Sequence, residues 1–433
     1  MRSMIPWASA FRLRQYMKAS LWIVPLIGLV LGVALAEGAI SVDGSGWPPD
    51  GWRYSASTAS GVLSSVVGAM VALLGFVVTI GVLVIQQATG TLSPRYMRLW
   101  YRDRLQKTVL ATFTGTFAFA YSLLRSIEAD SVPDLGVTMA GLAVAVSLVL
   151  LLVYLNRFTH NLRPVAIADI VGRMGETVFV RGAAVIRGAT AREAPEATGG
   201  PVVLVRSPRG GAIQAYNAAG LLAVASRHDC VLVVPHVIGD FVPPGGVLVE
   251  VHGSGGSPPD PERVAGLVAL GAERTVEQDP AFALRILVDI AIRALSPAVN
   301  DPSTAVQVLN HVESFLHTVG RSPLPGRYVL AGDDGRPRLA LLGRDWEDYL
   351  QLAVSEIRHY GASSVQVCRR LKALLEGLLD TLPASRLPAV RAELDLLRDS
   401  VERTFIDPGH RALASTADSQ GIGGRYRPAG PAR

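Results

Sequence analysis

The sequence predicts an α+β membrane protein, with four transmembrane helices followed by a cytoplasmic small β-barrel-like domain and an α-helical domain. Composition is the first indication, because only 18% of the 433 residues are charged, compared with about 25% in a typical soluble domain. The second is that every uncharged run longer than 17 residues lies before residue 157. The third is that short β-branched runs, and then amphipathic helical patterns, follow those runs.

Four uncharged runs are candidate membrane spans, because a bilayer core of about 30 Å requires roughly 20 apolar residues in a helix. The predicted transmembrane domain is residues 1–160, and its helices cover about residues 19–38, 60–87, 107–125 and 135–156. The first run ends in Ala34-Leu35-Ala36, which is typical of a signal-peptidase site. Cleavage there stays open as an alternative, and it would leave three spans.

The loops between the runs alternate in charge. The segment before the first span has four basic residues and no acidic one, and the loop 94–107 has five basic residues and one acidic residue, whereas the loops after the first and third spans are mostly acidic. Since cytoplasmic loops are enriched in Lys and Arg, we expect a multi-pass protein whose N- and C-termini are both cytoplasmic. The expected partners are the lipid bilayer and anionic lipid headgroups at its cytoplasmic face. No nucleic-acid motif accompanies the basic residues, so no nucleic-acid partner is expected.

Small residues four positions apart occur in the first two predicted spans. Such a pattern lets two helices approach closely, either between subunits or within one chain. The first interpretation predicts a homo-oligomer, and both interpretations stay open at this point. The residues are Gly28, Gly32 and Ala36 in the first span, and Ser64, Gly68 and Ala72 in the second.

The third predicted span has hydroxyl groups at helical spacing. Thr112 and Thr116 share one face and are candidates for lining a pore, unless they bond to carbonyl groups of their own or a neighbouring helix. No Asp, Glu, His, Lys or Arg occurs in the four uncharged runs, Ala19–Ala36, Ser55–Pro94, Thr108–Leu124 and Leu135–Asn156. Proton-coupled carriers need such groups at depth, so the pattern argues against proton-coupled transport and is compatible with a passive pore.

Residues 165–255 are predicted to form a cytoplasmic β-rich domain, because short β-branched runs alternate with turn residues there. The stretch "GDFVPPGGVLVEV" resembles half of a barrel-sandwich hybrid, but the region has no lysine that could carry a cofactor. His228, His236 and His252 do not match the spacing of a known metal site. We therefore expect neither a cofactor nor a metal.

Residues 262–406 are predicted to form the cytoplasmic α-helical domain, and the Gly/Pro/Arg-rich residues 408–433 a disordered tail. Two helices are expected to begin at Asp279-Pro280 and Asp301-Pro302. In each, the Asp side chain can cap free backbone N–H groups, and Pro at the first helical position loses no hydrogen bond. The corner Ser296–Val306, "SPAVNDPSTAV", would join them.

Polar residues on both sides of this corner form the candidate site. Arg285, Asp289 and Arg293 recur at four-residue spacing on an otherwise apolar helix. Two interpretations stay open: a site for a ligand, or a buried structural network, since an isolated buried charge is costly. The candidate residues from the corner itself are Asn300, Asp301, Ser303 and Thr304.

Several stretches are similar to those of a known family. The most specific is "ERTVEQDPAFALRILVDIAIRALSPAVNDPSTAV", and weaker ones are "LSPRYMRLWYRDR", "GDFVPPG" and "DWEDYLQLAVSEIRHYG". On these residues the chain resembles the domain-of-unknown-function family 2254, predicted bacterial membrane proteins. The resemblance implies the same layout of four spans and a cytoplasmic part, in the bacterial plasma (inner) membrane. It implies no activity.

The sequence contains none of the usual catalytic or phosphate-binding spacings, so we do not predict an enzyme. Cys230 and Cys368 are expected to stay reduced on the cytoplasmic side. The leading hypothesis is an oligomeric passive pore with a cytoplasmic assembly domain. The alternative is a non-conducting membrane scaffold or sensor that binds a cytosolic ligand or partner through the Ser296–Val306 corner.

Overall fold

The computed structural model describes residues 6–43, 53–91, 95, 102–128, 131–161, 163–187, 203–253 and 257–424. Contacts between residues divide the chain into two compact units. One is Gln15–Arg163, and the other combines Met1–Arg14 with Pro164–Arg433. Each unit has a hydrophobic core of its own.

The Gln15–Arg163 unit, called the membrane unit below, is a bundle of helices. Its apolar residues pack in two clusters, one around Leu63, Met70 and Leu123 and one around Val77 and Phe113. The helices are the end of α1 (Trp7–Ala19), then α2 (Ile23–Asp43), α3 (Ala56–Thr91), α4 (Arg104–Arg125) and α5 (Asp134–Asn161).

Three helices of this bundle, α2, α3 and α5, are long and apolar enough to cross a membrane. They correspond to the first, second and fourth predicted spans. The third predicted span, 107–125, lies in α4, which packs against α2, α3 and α5. This helix is less apolar than the others, because it contains four threonines and also Arg104, Lys107 and Arg125. The bundle therefore has three candidate spans and one more polar helix packed against them.

Helices α2 and α4 approach each other with almost no side chain between their backbones. A Cβ atom added to Gly28 would overlap the carbonyl group of Ala111, and one added to Gly32 would overlap that of Gly115. The small residues of the first span therefore serve close packing within one chain. In the second span, by contrast, a Cβ added to Gly68 would have no atom within 4 Å.

The other unit, called the α/β unit below, has an α-helical part built around α9. That helix packs against α6, α10 and α11. The N–H groups of Phe282 and Thr304 donate to the side chains of Asp279 and Asp301 at 3.1 and 3.0 Å, so both predicted N-caps are confirmed. After the start of α1, the helices are α6 (Pro164–Arg187), α7 (Ala218–Arg227), α8 (Pro261–Ala265), α9 (Pro280–Ala294), α10 (Pro302–Gly320), α11 (Trp346–Gly361), α12 (Val365–Thr381), α13 (Leu387–Thr404) and α14 (Pro408–Ala414).

The eight described strands of the α/β unit form two sheets, with orders β1-β5-β3-β8-β7 and β4-β2-β6. Strands β3 and β8 pair in parallel, and the other pairs are antiparallel. Strand β6 and the hairpin β7–β8 lie within the range assigned above to the helical domain, yet they pair with strands of the β-rich region. The strands are β1 (Val203–Arg206), β2 (Gly211–Tyr216), β3 (Val231–Val234), β4 (Phe241–Val242), β5 (Val247–His252), β6 (Val268–Gly271), β7 (Arg327–Ala331) and β8 (Pro337–Leu342).

The beginning of the predicted β-rich domain is wrong. Residues 164–187 form helix α6, because Ile167, Val171 and Phe179 recur at helical spacing and are buried on a helix that packs against α9 and α10. The strands that follow are arranged as two sheets, and no closed barrel occurs among the described strands. The α/β unit is therefore a mixed α+β structure.

The disordered tail predicted for residues 408–433 is also wrong in its first part. Helix α14 occupies its beginning, and the buried side chain of Asp418 accepts hydrogen bonds from the N–H groups of Gly421 and Gly423 at 3.0 and 2.9 Å. Arg369 on α12 donates to the carbonyl oxygen of Gly423 at 3.0 Å. Composition alone could not show this ordering, because it depends on a partner far away in the sequence. Residues 425–433 lie outside the described residues.

The contact between α2 and α4 predicts a position-specific effect of side-chain size. Gly32→Leu is expected to lower the free energy of unfolding by about 1–3 kcal/mol or more, because the new side chain must separate two backbones. Gly38→Leu on the same helix is the matched control, since a Cβ at Gly38 meets no atom within 4 Å. Thermal unfolding of the full chain in detergent measures both. Equal melting temperatures for the two variants would contradict the close packing.

Candidate functional site

Helix α9 carries the three polar residues predicted at four-residue spacing. Eleven of its fifteen residues are buried, and Asp289 is among them. The helix is buried because its apolar residues lie on nearly every side, so one neighbouring helix is not enough to cover them. Helices α6, α10 and α11 all pack against it.

Arg285 and Asp289 are joined in an ion-pair network with a third residue. The Nε atom of Arg285 donates to Asp289 Oδ1 at 2.7 Å, and Nη2 donates to Glu356 Oε2 on α11 at 2.9 Å. Nη1 also donates to the other carboxylate oxygen of Glu356. The hydrogen bonds that Arg285 donates to Glu356, outweighing the effect of burial, raise the pKa of Arg285 above its ordinary value. Arg285 is thus paired with two carboxylates, which is the arrangement that the structural interpretation requires for a buried charge.

Sequence reasoning missed Glu356 as a partner of this stripe. It lies 71 residues after Arg285, on a helix whose own pattern has several acidic residues. No local signal distinguishes it from Glu347 or Asp348, which lie in the first turn of the same helix. The third predicted residue of the stripe, Arg293, lies half-buried in the last turn of α9.

The corner after α9 is explained largely by local geometry. Asp301 donates its N–H to the carbonyl oxygen of Ala294 at 2.7 Å, and its carboxylate accepts from the N–H and the hydroxyl of Thr304 at 3.0 and 2.5 Å. Asn300 has φ +47°, in the left-handed region, which Asn tolerates better than most residues. Asn300 and Ser303 are exposed to solvent. The candidate residues therefore fall into two groups, one buried against α11 and one at an exposed turn.

The candidate pore-lining residues lie in the membrane unit. Thr116 is buried, and its hydroxyl oxygen is 3.5 Å from that of Ser147 on α5, which itself donates to the carbonyl oxygen of Ala143 at 2.7 Å. Thr112 is half-buried. Thr116 thus faces a neighbouring helix of its own chain, which is the packing alternative for hydroxyl groups in a membrane helix.

The three histidines of the β-rich region are not brought together. The ring nitrogens of His228 and His236 lie 2.9 and 2.7 Å from the carbonyl oxygens of Ser257 and Val247, and that of His252 lies 3.0 Å from the carboxylate of Glu250. Within the part of the chain that the structure describes, no group of three or more His, Cys, Asp or Glu side chains could hold a metal ion.

Asp279, predicted only as a helix cap, has a buried and only partly satisfied side chain in the α/β unit. Its side chain is buried, with the residue 2% exposed. Oδ1 accepts the capping hydrogen bond, whereas Oδ2 has no hydrogen-bond partner among the described residues and lies 3.6 Å from Nε of Arg274. Burial raises the pKa of Asp279 to about 6, against the opposing charges of Arg274 and Arg344. This carboxyl group can therefore bind and release a proton at mildly acidic pH.

The segment that leads into Asp279 is fixed to strand β2. Gln214 donates its amide to the carbonyl oxygen of Glu273 at 2.7 Å. Gln278 accepts from the N–H of Tyr216 at 3.0 Å and donates to its carbonyl oxygen at 3.3 Å. These side-chain hydrogen bonds attach both ends of the segment 273–278 to strand β2. The attachment keeps Asp279 in its buried position at the start of α9.

Comparison with known proteins identifies relatives over most of the chain. Residues 18–377 match the family model described as predicted membrane protein (DUF2254). Uncharacterised proteins of Mycobacterium bovis and Mycobacterium tuberculosis are each 30% identical over 421 residues, which cover 92% of this chain and 79% of the relative. No solved structure matches.

The position of Asp279 predicts a specific dependence of stability on pH. Because its pKa of about 6 in the folded protein exceeds the ordinary value of 3.8, the folded state binds the proton more tightly than the unfolded state. The free energy of unfolding therefore falls as pH rises from about 4 to about 6. Asp279→Asn should remove this fall while keeping the cap, and at pH 7.5 it should be more stable by on the order of 1–2 kcal/mol.

Chemical denaturation of the full chain in detergent between pH 4.5 and 7.5 measures this effect. Asp301→Asn, the same exchange at the N-cap of α10, controls for the change of capping group. Persistence of the pH dependence in Asp279→Asn would show that another group causes it.

Proposed function

The chain belongs to the family of predicted membrane proteins (DUF2254), and on that premise we propose that it is a self-associating protein of the bacterial inner membrane that forms a passive pore between its copies. Four helices would cross the membrane, with α4 as the third. The packing of α4 against all three candidate spans supports this. The alternating charges of the loops support cytoplasmic N- and C-termini, and the packing of α2 on α4 supports retention of the first span.

One row of small residues on α3, called the α3 seam below, carries this proposal. Its residues recur every three or four positions, and all are exposed in the single chain. The outward residues of α2 and α5 include large apolar side chains such as Leu26, Val30, Leu142 and Val149, which suit contact with lipid. The α3 seam consists of Gly61, Ser64, Gly68, Ala72 and Gly75.

Glycine in a membrane helix usually marks a place where another helix packs closely. The membrane unit follows this rule at Gly28 and Gly32, whose backbones are covered by α4. Added Cβ atoms at Gly61, Gly68 and Gly75 would meet no atom within 4 Å. A second copy of the chain, presenting its own seam, is the partner that these positions suit.

A passive path between copies suits the same surface. Ser65 and Thr79 on α3 are exposed, and their hydroxyls donate to carbonyl oxygens of their own helix at 2.8 and 2.9 Å. Such groups can line a polar path without ionisable residues. Thr112 and Thr116 stay a prediction as pore-lining residues, although Thr116 already contacts Ser147.

Native mass spectrometry of the protein in nanodiscs tests the self-association directly. We expect a multiple of the 45.9 kDa chain mass, and we expect Gly68→Leu to give monomers because its side chain blocks the seam. Gly141→Leu on α5 is the matched control, since that glycine is also exposed with open space around it.

A monomeric natural protein would contradict self-association and the pore together. An oligomer unchanged by Gly68→Leu would contradict the seam, and a stable oligomer without ion or solute flux in liposomes would contradict the pore.

The alternative function is a non-conducting scaffold or sensor that binds a ligand or partner through the Ser296–Val306 corner. The observation in its favour is that the consecutive residues Pro297 to Asn300 are exposed, including the apolar Val299 at 37%. Against it, the polar groups of Asp301 and Thr304 are already used by the turn.

The two roles of the corner predict different effects on stability. If the corner is structural, Asp301→Ala should lower the free energy of unfolding by about 1 kcal/mol, the usual value of an N-cap. Asn300→Gly should leave it unchanged or slightly higher, because glycine adopts the positive φ without strain. Thermal unfolding of both variants measures this. If Asp301→Ala has no effect on unfolding, the cap does not explain the residue and the binding role gains support.

A further inference from the structure

Lys107 occupies a position in the membrane unit that neither the proposed pore nor the family description uses. It lies in the first turn of α4, and the residue is only 7% exposed. Its Nζ atom donates to the carbonyl oxygen of Lys18 at 2.6 Å, in the last turn of α1. Among the described residues, no carboxylate forms an ion pair with it. An ammonium group removed from water is costly unless an opposite charge accompanies it.

Among the described residues, the acid nearest to Lys107 along the chain does not supply that opposite charge. This acid, Asp103, caps α4 through the N–H of Leu105 at 2.8 Å and lies 3.6 Å from Arg157. The carboxylate of Asp103 therefore already has a cationic partner. Arg102 is close enough for its positive charge to act on Lys107, and its guanidinium donates to the side chain of buried Gln15.

Two buried hydroxyl groups near this position lack a partner. Ser20 is 8% exposed and Tyr154 is 6% exposed, and neither hydroxyl has a hydrogen-bond partner among the described residues. Ser20 lies two residues after Lys18, whose carbonyl group accepts the hydrogen bond from Lys107. The ring of Tyr154 packs in one cluster with Leu105 and Val109 of the first turns of α4. Two cations and two hydroxyl donors are suited to the oxygen atoms of a phosphate group.

The position along the helices indicates the source of that phosphate. The candidate span of α2 begins at Ile23, three residues after Ser20, and that of α5 ends at Phe158, four residues after Tyr154. The exposed side chains of Tyr16 and Trp22 flank the same level, and such aromatic residues are enriched where a membrane meets water. The group of donors therefore lies at the depth of lipid headgroups.

From this geometry we propose that Lys107, Arg102, Ser20 and Tyr154 form a binding site for the phosphate of an anionic phospholipid, such as phosphatidylglycerol. The buried ammonium of Lys107 neutralises the phosphate, and the two hydroxyls and the Arg102 guanidinium donate to its oxygens. The proposal rests on the location of this unit in a membrane, and it is independent of whether the chain self-associates or conducts. A soluble phosphate could present the same oxygens, so the test has to separate the two sources.

A thermal-shift titration of the delipidated full chain in detergent tests the site. Short-chain phosphatidylglycerol is expected to raise the melting temperature in a saturable way. Lys107→Gln should weaken its apparent affinity at least tenfold. Arg104→Gln removes the same charge from the same turn of α4 at an exposed position, and as the matched control it should respond like the natural protein.

Tyr154→Phe and Ser20→Ala keep the test valid if Lys107→Gln does not fold. Each removes one hydroxyl and no charge, and each should weaken the affinity several-fold. Short-chain phosphatidylcholine and inorganic phosphate complete the titration. A response to phosphatidylcholine equal to that of phosphatidylglycerol, or inorganic phosphate producing the same shift and abolishing the lipid effect, would overturn the proposal. So would the absence of any shift with phosphatidylglycerol.

Discussion

Helix α9 has to be buried on almost every side, and this constraint determines the arrangement of the α/β unit. Eleven of its fifteen residues are buried, so it needs neighbours in several directions, and α6, α10 and α11 supply them. The helix also buries Arg285 and Asp289, whose charges would be costly without partners. Glu356 provides the second carboxylate, so the ion-pair network fixes which face of α11 meets α9. Apolar burial brings the helices together, and the charges set their register.

The segments at the two ends of α9 connect this buried helix to the small sheet and to α10. At the start, the segment before Asp279 is fixed to strand β2 by side-chain hydrogen bonds, so the small sheet and the helices share one rigid connection. At the end, Asn300 takes the left-handed conformation and Asp301 starts α10. The reversal is therefore sharp enough for α10 to return along α9. Asp279 is buried because this connection leaves no path to solvent, and its raised pKa follows from position, not from a neighbouring acid.

Sequence patterns predicted the features that depend on nearby residues. The caps at Asp279 and Asp301 follow from local chemistry. Features that depend on distant partners were not predictable in this way. Nothing near Arg285 indicates Glu356, and nothing in the tail indicates that Arg369 would order it around Asp418. Helix α6 was missed for a related reason: its apolar residues form a buried face only because α9 and α10 pack against them, and these helices are distant in the sequence.

In the membrane unit, the same residue type has opposite roles that only the structure separates. Gly28 and Gly68 belong to identical spacing patterns, yet one is covered by a backbone and the other faces open space. Likewise Arg104 and Lys107 are two bases in one turn of α4, yet one is exposed and the other buried. A glycine row without a neighbour and an ammonium without a carboxylate both leave the isolated chain incomplete. A membrane contains what each requires, because a second copy can cover the glycines and a lipid phosphate can neutralise the ammonium. Both proposals therefore follow from one physical condition. The helices of this unit pack against one another, but among its described residues the outward-facing glycines have no helix against them and the buried ammonium has no carboxylate.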